Sequence, residues 1–255
     1  MVTFETKCYE NDWEFILKGR RLEETIGRCR FGFARKTVII NNVDNPARVR
    51  RYADKKVQQG VIDRYYFAAD YADAALEFFR IDKASFRGGY YYSIAELVGI
   101  FLCETPYLLH FSSDTRPAYG NPPWIAEAIG IFEQREDVVV ANPAWDHRFE
   151  HAEEESFDST GNFYLGYGFS DQCYLIPTAR FRQPVFNETH PESARYPAYG
   201  GELFEKRVDS YMRNHQLLRI TSKTAAYEHK NFPKGRLDRL RLKLDMYLNR
   251  SSSSK

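Results

Sequence analysis

At 255 residues, with 43% hydrophobic and 16% aromatic side chains, the chain can form one large α/β domain or two small ones around a substantial core. Its 36 basic and 35 acidic residues leave a formal charge of +1, so no basic field argues for nucleic acid. Cys8, Cys29, Cys103 and Cys173 are widely spaced and form no C-x-x-C pair; with no apolar run near the ~20 residues of a membrane helix and no signal peptide, a soluble cytoplasmic protein with buried free thiols is expected.

In chain order, Val2 to Cys8 reads as a strand, and Asn11 with Glu14 three residues on reads as a capping box for the first helix. Thr37 to Ile40 is a short buried strand ending in Asn41-Asn42. Asn45-Pro46 opens a helix that Gly60 closes. Tyr65 to Ala68 is a third strand, with Asp70 as the cap of the helix after it. A helix from Tyr90 to Cys103 leads to the apolar strand Tyr107 to Phe111, which ends in Ser112, Ser113 and Asp114. Pro122-Pro123 starts another helix, with Trp124, Ile125, Ile129 and Phe132 inward, and Val138 to Val140 returns to the sheet. Repeated units of this kind predict right-handed crossovers and a largely parallel sheet. After Asn142 the rhythm breaks, and residues 146–168 read as one long loop. Asp171 to Ile176 is a strand, 184–199 irregular, and Gly200-Gly201 precedes a helix to about His215. A strand follows near Leu217 to Ile220. Gly235 to Arg250 reads as a basic amphipathic helix, with Leu237, Leu240, Leu244 and Leu248 on one face, before four serines. Such a helix packs on its own domain or lies in a membrane interface.

Four features carry chemistry. Asp114 stands just beyond the carboxyl end of a strand, where open α/β sheets bind ligands; an acid there can hold a divalent cation against a diphosphate, or cap the next helix. Arg87-Gly88-Gly89 leads into a helix whose first N–H groups attract phosphate; the same residues also make an ordinary tight turn. Glu202, after Gly200-Gly201, suits a general base for a hydroxyl, although an acid near a helix start is favourable in any case. His229 follows a strand and can supply an imidazole to a metal or a structural hydrogen bond.

In this order the features resemble GT-A fold glycosyltransferases, particularly the inverting family-2-like enzymes of bacterial polysaccharide synthesis, over residues 1–233. The resemblance implies a single Rossmann-like α/β domain with a mostly parallel central sheet flanked by helices, its nucleotide-sugar half at about 1–115 and its acceptor half at about 116–233. Residues 234–255 would form the added basic helix and tail. It further implies a nucleotide-diphospho-sugar donor, a saccharide or lipid-linked glycan acceptor and a divalent metal, Mn or Mg. Cys8, Tyr9 and Glu10 would lie beside the nucleoside, Asn42 and Asp70 would flank the base, and Arg87 and Gly88 would face the donor. Ser112-Ser113-Asp114 takes the place of the family's D-x-D motif, with Ser for the first Asp, so that Ser113 and Asp114 face the donor and Asp114 touches the metal. Gly201-Glu202-Leu203 matches x-E-D with Glu202 as the base, and His229 matches the late metal-binding His. Trp145, Asp171 and Gly201 would stand on the acceptor side, where the aromatic loop residues Tyr164 and Tyr167 serve as a sugar-stacking wall or as core. Two other functions fit such a scaffold: a metal-dependent nucleotidyltransferase or phosphohydrolase, and a nucleotide-sugar-binding module without turnover.

Overall fold

Strands that are apolar on both faces need cover on both, and the fold supplies it. The computed structural model describes residues 1–197, 201–233 and 235. The first half alternates strand and helix: β1 (Val2–Cys8), α1 (Trp13–Leu17), α2 (Arg21–Arg28), β2 (Arg35–Ile40), α3 (Pro46–Gln58), β3 (Arg64–Phe67), α4 (Ala68–Phe78), α5 (Tyr90–Leu102) and β4 (Tyr107–Phe111). The second half adds β5 (Thr115–Pro117), α6 (Trp124–Gln134), β6 (Val138–Trp145), α7 (Phe149–Glu154), β7 (Ser156–Thr160), β8 (Phe163–Gly166), β9 (Cys173–Pro177), α8 (Thr178–Phe181), α9 (Phe204–Asn214) and β10 (Leu218–His229).

The strands form one ten-stranded sheet in the order β3-β2-β1-β4-β9-β6-β10-β8-β7, with β5 paired to the end of β10. β1 is parallel to β2 and β4, β2 to β3, and β6 to β10; β5, β8 and β9 run against the rest. Side chains alternate across each strand. Phe4, Val38, Ile40, Leu109 and Phe111 therefore pack with Trp13, Val49 and Phe132 on one face. Ile39, Leu108, Val139 and Ile176 pack with Ala72, Leu97, Val98 and Phe204 on the other. The mostly parallel α/β sheet flanked by helices agrees with the sequence reading, as does the Asn45 cap of α3, whose side chain accepts from Arg48 N at 2.9 Å.

Several local expectations are corrected. Asn11 does not cap α1: Asp12 is the residue before the helix, and its carboxylate turns back to accept from Tyr9 N at 2.7 Å. Asp70 does not cap α4, because the helix begins at Ala68 straight from β3 and leaves Asp70 exposed in its first turn. Residues 146–168 are not one loop: β6 runs on to Trp145, and α7 and the β7–β8 hairpin follow. β6 passes Pro143 because β10 bulges there, its register jumping from Thr221 opposite Asn142 to Ala226 opposite Ala144; a proline that cannot donate fits a strand at such a break. The expected tail helix lies outside the described residues. Among those described, no helix is long and apolar enough to cross a membrane.

Gly99 lies inside α5, where a Cβ would collide with the Glu5 carboxylate of β1. Glu5 is 1% exposed and held by His110 Nδ1 at 3.0 Å, so it has little room to yield. Alanine in a helix interior ordinarily gains about 1 kcal/mol over glycine. Here Gly99→Ala is expected to destabilise the protein by about 1–2 kcal/mol, the range of an overpacked core, read as a lower urea midpoint at unchanged slope.

Candidate active site

The carboxyl ends of β1, β2 and β4, the start of β9 and the first turns of α5 and α9 enclose a cleft of about 790 Å³. Asp114 stands at its edge because the chain leaving β4 turns at once into β5. β5 then zips antiparallel onto the last residues of β10, pairing Thr115 with His229 and Arg116 with Glu228. Arg116 Nε locks that register by donating to Glu228 Oε2 at 2.8 Å. Residues 115 positions apart in the chain thus meet: His229 Nε2 lies 3.1 Å from Asp114 Oδ2, and Lys230 N donates to Asp114 O at 3.0 Å. The His229 backbone N–H is held in turn by Asp146 Oδ1 at 2.8 Å.

The serines before Asp114 are tied beneath the cleft. Ser113 Oγ donates to Asp12 Oδ2 at 2.5 Å, and its carbonyl accepts from Arg21 Nε at 3.0 Å. Burial pushes the Asp12 carboxyl up to about 7 against the hydrogen bonds from Ser113 and Tyr9. Ser112 Oγ donates to the Asp171 carbonyl at 2.9 Å, which joins the end of β4 to the start of β9. Asp171 thus brings a carboxylate into the cleft beside the position where Ser112 carries none.

Elsewhere in the lining, Lys7 donates to Glu96 Oε1 and lies 3.7 Å from Asp171 Oδ2. Glu205 of α9 also lines the cleft. Its helix starts where it does because Ser93 Oγ of α5 accepts from Phe204 N at 2.9 Å. Burial first and the Asp171 charge second raise the Glu205 carboxyl to about 8, while Lys7 and a backbone hydrogen bond from Asp171 oppose the shift.

Among the residues read from sequence, Cys8, Tyr9, Asn42, Gly88, Ser113, Asp114, Asp171 and His229 all line this cleft. Tyr9 is joined there by the exposed Tyr91 and Tyr92, and Asn41 Nδ2 donates to the Tyr91 carbonyl at 2.8 Å. The others lie outside the lining. Glu10 turns away to accept from Asp44 N at 2.9 Å. Asp70 stays on the outer surface of α4. Arg87, left-handed at φ 49°, keeps its side chain 79% exposed. Glu202 precedes α9 instead of starting it, and its carboxylate pairs with Lys206 Nζ at 2.9 Å. Gly201 (φ 88°) serves a close approach, since a Cβ there would meet the Phe86 and Arg87 carbonyls. Trp145 holds Arg148 over its ring at 4.3 Å. Sequence reasoning missed Lys7, Glu96 and Glu205. The signal for the first two was charge in the wrong place: Lys7 in a buried strand and Glu96 in the apolar run Ile94 to Ile100.

A divalent metal is implied by the resemblance. Among the described residues no group of three or more His, Cys, Asp or Glu side chains could hold one. The pair Asp114–His229 nevertheless fits a cation that takes one carboxylate and one imidazole from the protein and its other ligands from a bound diphosphate.

No protein-family model matches the chain, and no curated protein is significantly similar to it in sequence. Solved structures are similar in fold. One is GalNAc-T7 with UDP, GalNAc and Mn2+, with a TM-score of 0.55 and 12% identity over 92% of this chain. Another is UDP-glucose pyrophosphorylase complexed with UDP-glucose, with a TM-score of 0.52 and 10% identity over 98% of this chain and 100% of that one. This chain spans only 44% of the GalNAc-T7 chain. At such identities the likeness shows the fold, which is of the GT-A type.

Asp12 holds the floor under Asp114 by accepting from both Ser113 and Tyr9 while itself 1% exposed. Asp12→Ala leaves the buried Ser113 hydroxyl and the part-buried Tyr9 N–H without an acceptor and is expected to cost about 2–4 kcal/mol, measured by equilibrium urea unfolding.

Proposed function

We propose that the chain transfers a sugar from a nucleotide-diphospho-sugar to an acceptor hydroxyl, with inversion at the anomeric carbon. The observation that carries this reading is one cleft that brings together the Asp114–His229 pair, 3.1 Å apart, and two further acids, Asp171 and Glu205. Asp114 and His229 would hold Mn or Mg, which when bound supplies a positive charge that stabilises the departing diphosphate. Tyr9, Tyr91, Tyr92 and Asn42 would receive the nucleoside at the ends of β1 and β2, where flat rings can stack on the tyrosines. The base in this reading is Glu205. It lines the cleft and its proton affinity is raised, whereas Glu202 is engaged by Lys206 outside the lining. Asp171 would accept a hydrogen bond from an acceptor hydroxyl. A saccharide or lipid-linked acceptor in a cytoplasmic setting is proposed, in keeping with four buried free cysteines.

The full-length likeness to a pyrophosphorylase favours a second reading, nucleotidyl transfer. Such a reaction must seat a triphosphate or pyrophosphate. The one Lys or Arg lining the cleft among the described residues, Lys7, is already bound by Glu96. Release of nucleoside triphosphate from a nucleotide-sugar and pyrophosphate would establish it, and release of nucleoside diphosphate with a glycosylated product would establish the first.

A thermal-shift panel of nucleoside diphosphates with and without Mn is expected to show metal-dependent stabilisation by one of them. Asp114→Ala and His229→Ala should each abolish that dependence; stabilisation by the same nucleotide that still requires Mn in both variants would defeat the metal assignment. Glu205 accepts a proton only when ionised, so kcat/KM should rise with pH through a midpoint near 8 and fall away below it. Glu205→Gln should lower turnover by about 10²–10⁴-fold and remove that limb, with donor affinity unchanged.

A further inference from the structure

One face of β1 is polar along its length: Thr3, Glu5 and Lys7 all point beneath α5. Thr3 solves its burial with a neutral hydrogen bond to Thr105 Oγ1 at 2.7 Å. Lys7 instead uses full charges, donating to Glu96, which is 0% exposed, and standing 3.7 Å from Asp171. Burial works against the Lys7 charge, yet Glu96, Asp171 and Asp114 together hold the ammonium on. The second oxygen of Glu96, Oε2, is buried without a partner, and Glu96 lines the cleft. A buried ion pair is weak evidence for stability, because desolvation offsets most of its Coulomb gain. What it does supply is a fixed charge, and an opposite charge within about 4–6 Å favours the ionised form of a carboxyl.

We propose that Lys7, clamped by Glu96, is a positioning residue whose ammonium keeps the adjoining carboxylates Asp171 and Glu205 from behaving as a self-protonating acid pair and so leaves Glu205 able to accept a proton. Its catalytic meaning rests on the reading of Glu205 as the base; its electrostatic content does not. The groups that bear on Glu205 are Asp171 before β9, Lys7 of β1 and Glu96 of α5. Around Lys7 itself stand Glu96, Asp171 and Asp114, with Glu5 and His110 behind it in the sheet and Tyr9 and Asp12 at its tip. Glu202 and Lys206, on the same helix as Glu205 or just before it, satisfy each other.

The test is a carbon-13 NMR titration of the full chain labelled at its side-chain carboxyls, with the Glu205 resonance assigned by its loss in Glu205→Gln. Lys7→Met should raise the Glu205 midpoint by about one pH unit or more, a tenfold or greater gain in proton affinity, and Lys7→Arg should leave it within about half a unit of wild type. Glu96→Gln removes a negative charge and should lower the midpoint. Packing alone cannot give these opposite signs. An unmoved or lowered midpoint in Lys7→Met, or a raised one in Glu96→Gln, overturns the inference; if Lys7→Met does not fold, Glu96→Gln and Lys7→Arg decide it. Should the titration move as expected while the rising limb of the pH–rate profile stays where it was, Glu205 is not the base, and the field of Lys7 stands.

Discussion

Three side chains on one face of β1 impose a condition on the rest of the molecule. Thr3 and Glu5 are buried, and Lys7 is 18% exposed, where a sheet of this kind ordinarily presents hydrocarbon, and each polar group must find a partner or stand at a large cost. The partners come from three directions: Thr105 from the loop before β4, His110 from β4 itself and Glu96 from α5. Burial raises the Glu5 carboxyl and lowers the His110 imidazole, so both are driven toward their neutral forms, and the His110 ring stacks on Tyr174 with centroids 4.8 Å apart. Gly99 leaves α5 without a side chain where the Glu5 carboxylate needs the space. Position and rotation of α5 are therefore fixed by what β1 must bury.

From that one helix the cleft is assembled. The first turn of α5 carries Tyr91 and Tyr92 to the mouth, and the turn before it places Gly88. Ser93, fully buried, donates to Gly89 O at 2.9 Å and accepts from Phe204 N at the same distance, so α5 sets where α9 begins and hence where Glu205 stands. The Asp114–His229 pair has a different origin. It depends on the short β5–β10 ladder, which returns His229 to Asp114 and leans on the bulge in β10. Ser112 joins the end of β4 to Asp171.

What could be read from sequence follows from how local its cause is. The strands β1, β2 and β4 and the cap of α3 are declared by contiguous apolar runs and by Asn45-Pro46, and they formed as read. α7 has no buried residue, and β7 exposes its three central residues, so neither leaves an apolar period to detect. Asp114 and His229 could be named as residues, but the contact between them comes from a strand pairing across more than a hundred positions. That Glu205 lines the cleft was illegible for the same reason. The start of α9 is set by a serine 111 residues earlier, and no local pattern announces it.

The balance of charge in the cleft bears on why a metal belongs to the proposed reaction. Among the described residues, the acids Glu96, Asp114, Asp171 and Glu205 line it, against the ammonium of Lys7 and the imidazole of His229. A diphosphate entering such a space meets like charge at short range, which is unfavourable in a partly desolvated site. The Lys7 ammonium cannot turn to it without abandoning Glu96, whose charge would then be buried alone. In the proposed reaction Asp114 and His229 would hold a divalent cation, whose positive charge would offset that conflict. Asp171 and Glu205 would remain for the acceptor, and a carboxylate, once ionised, accepts hydrogen bonds from the hydroxyls of a neutral sugar. In the proposed reaction, the acidic lining that would make the donor depend on a cation would also give an acceptor hydroxyl its hydrogen-bond partners, Asp171 and Glu205.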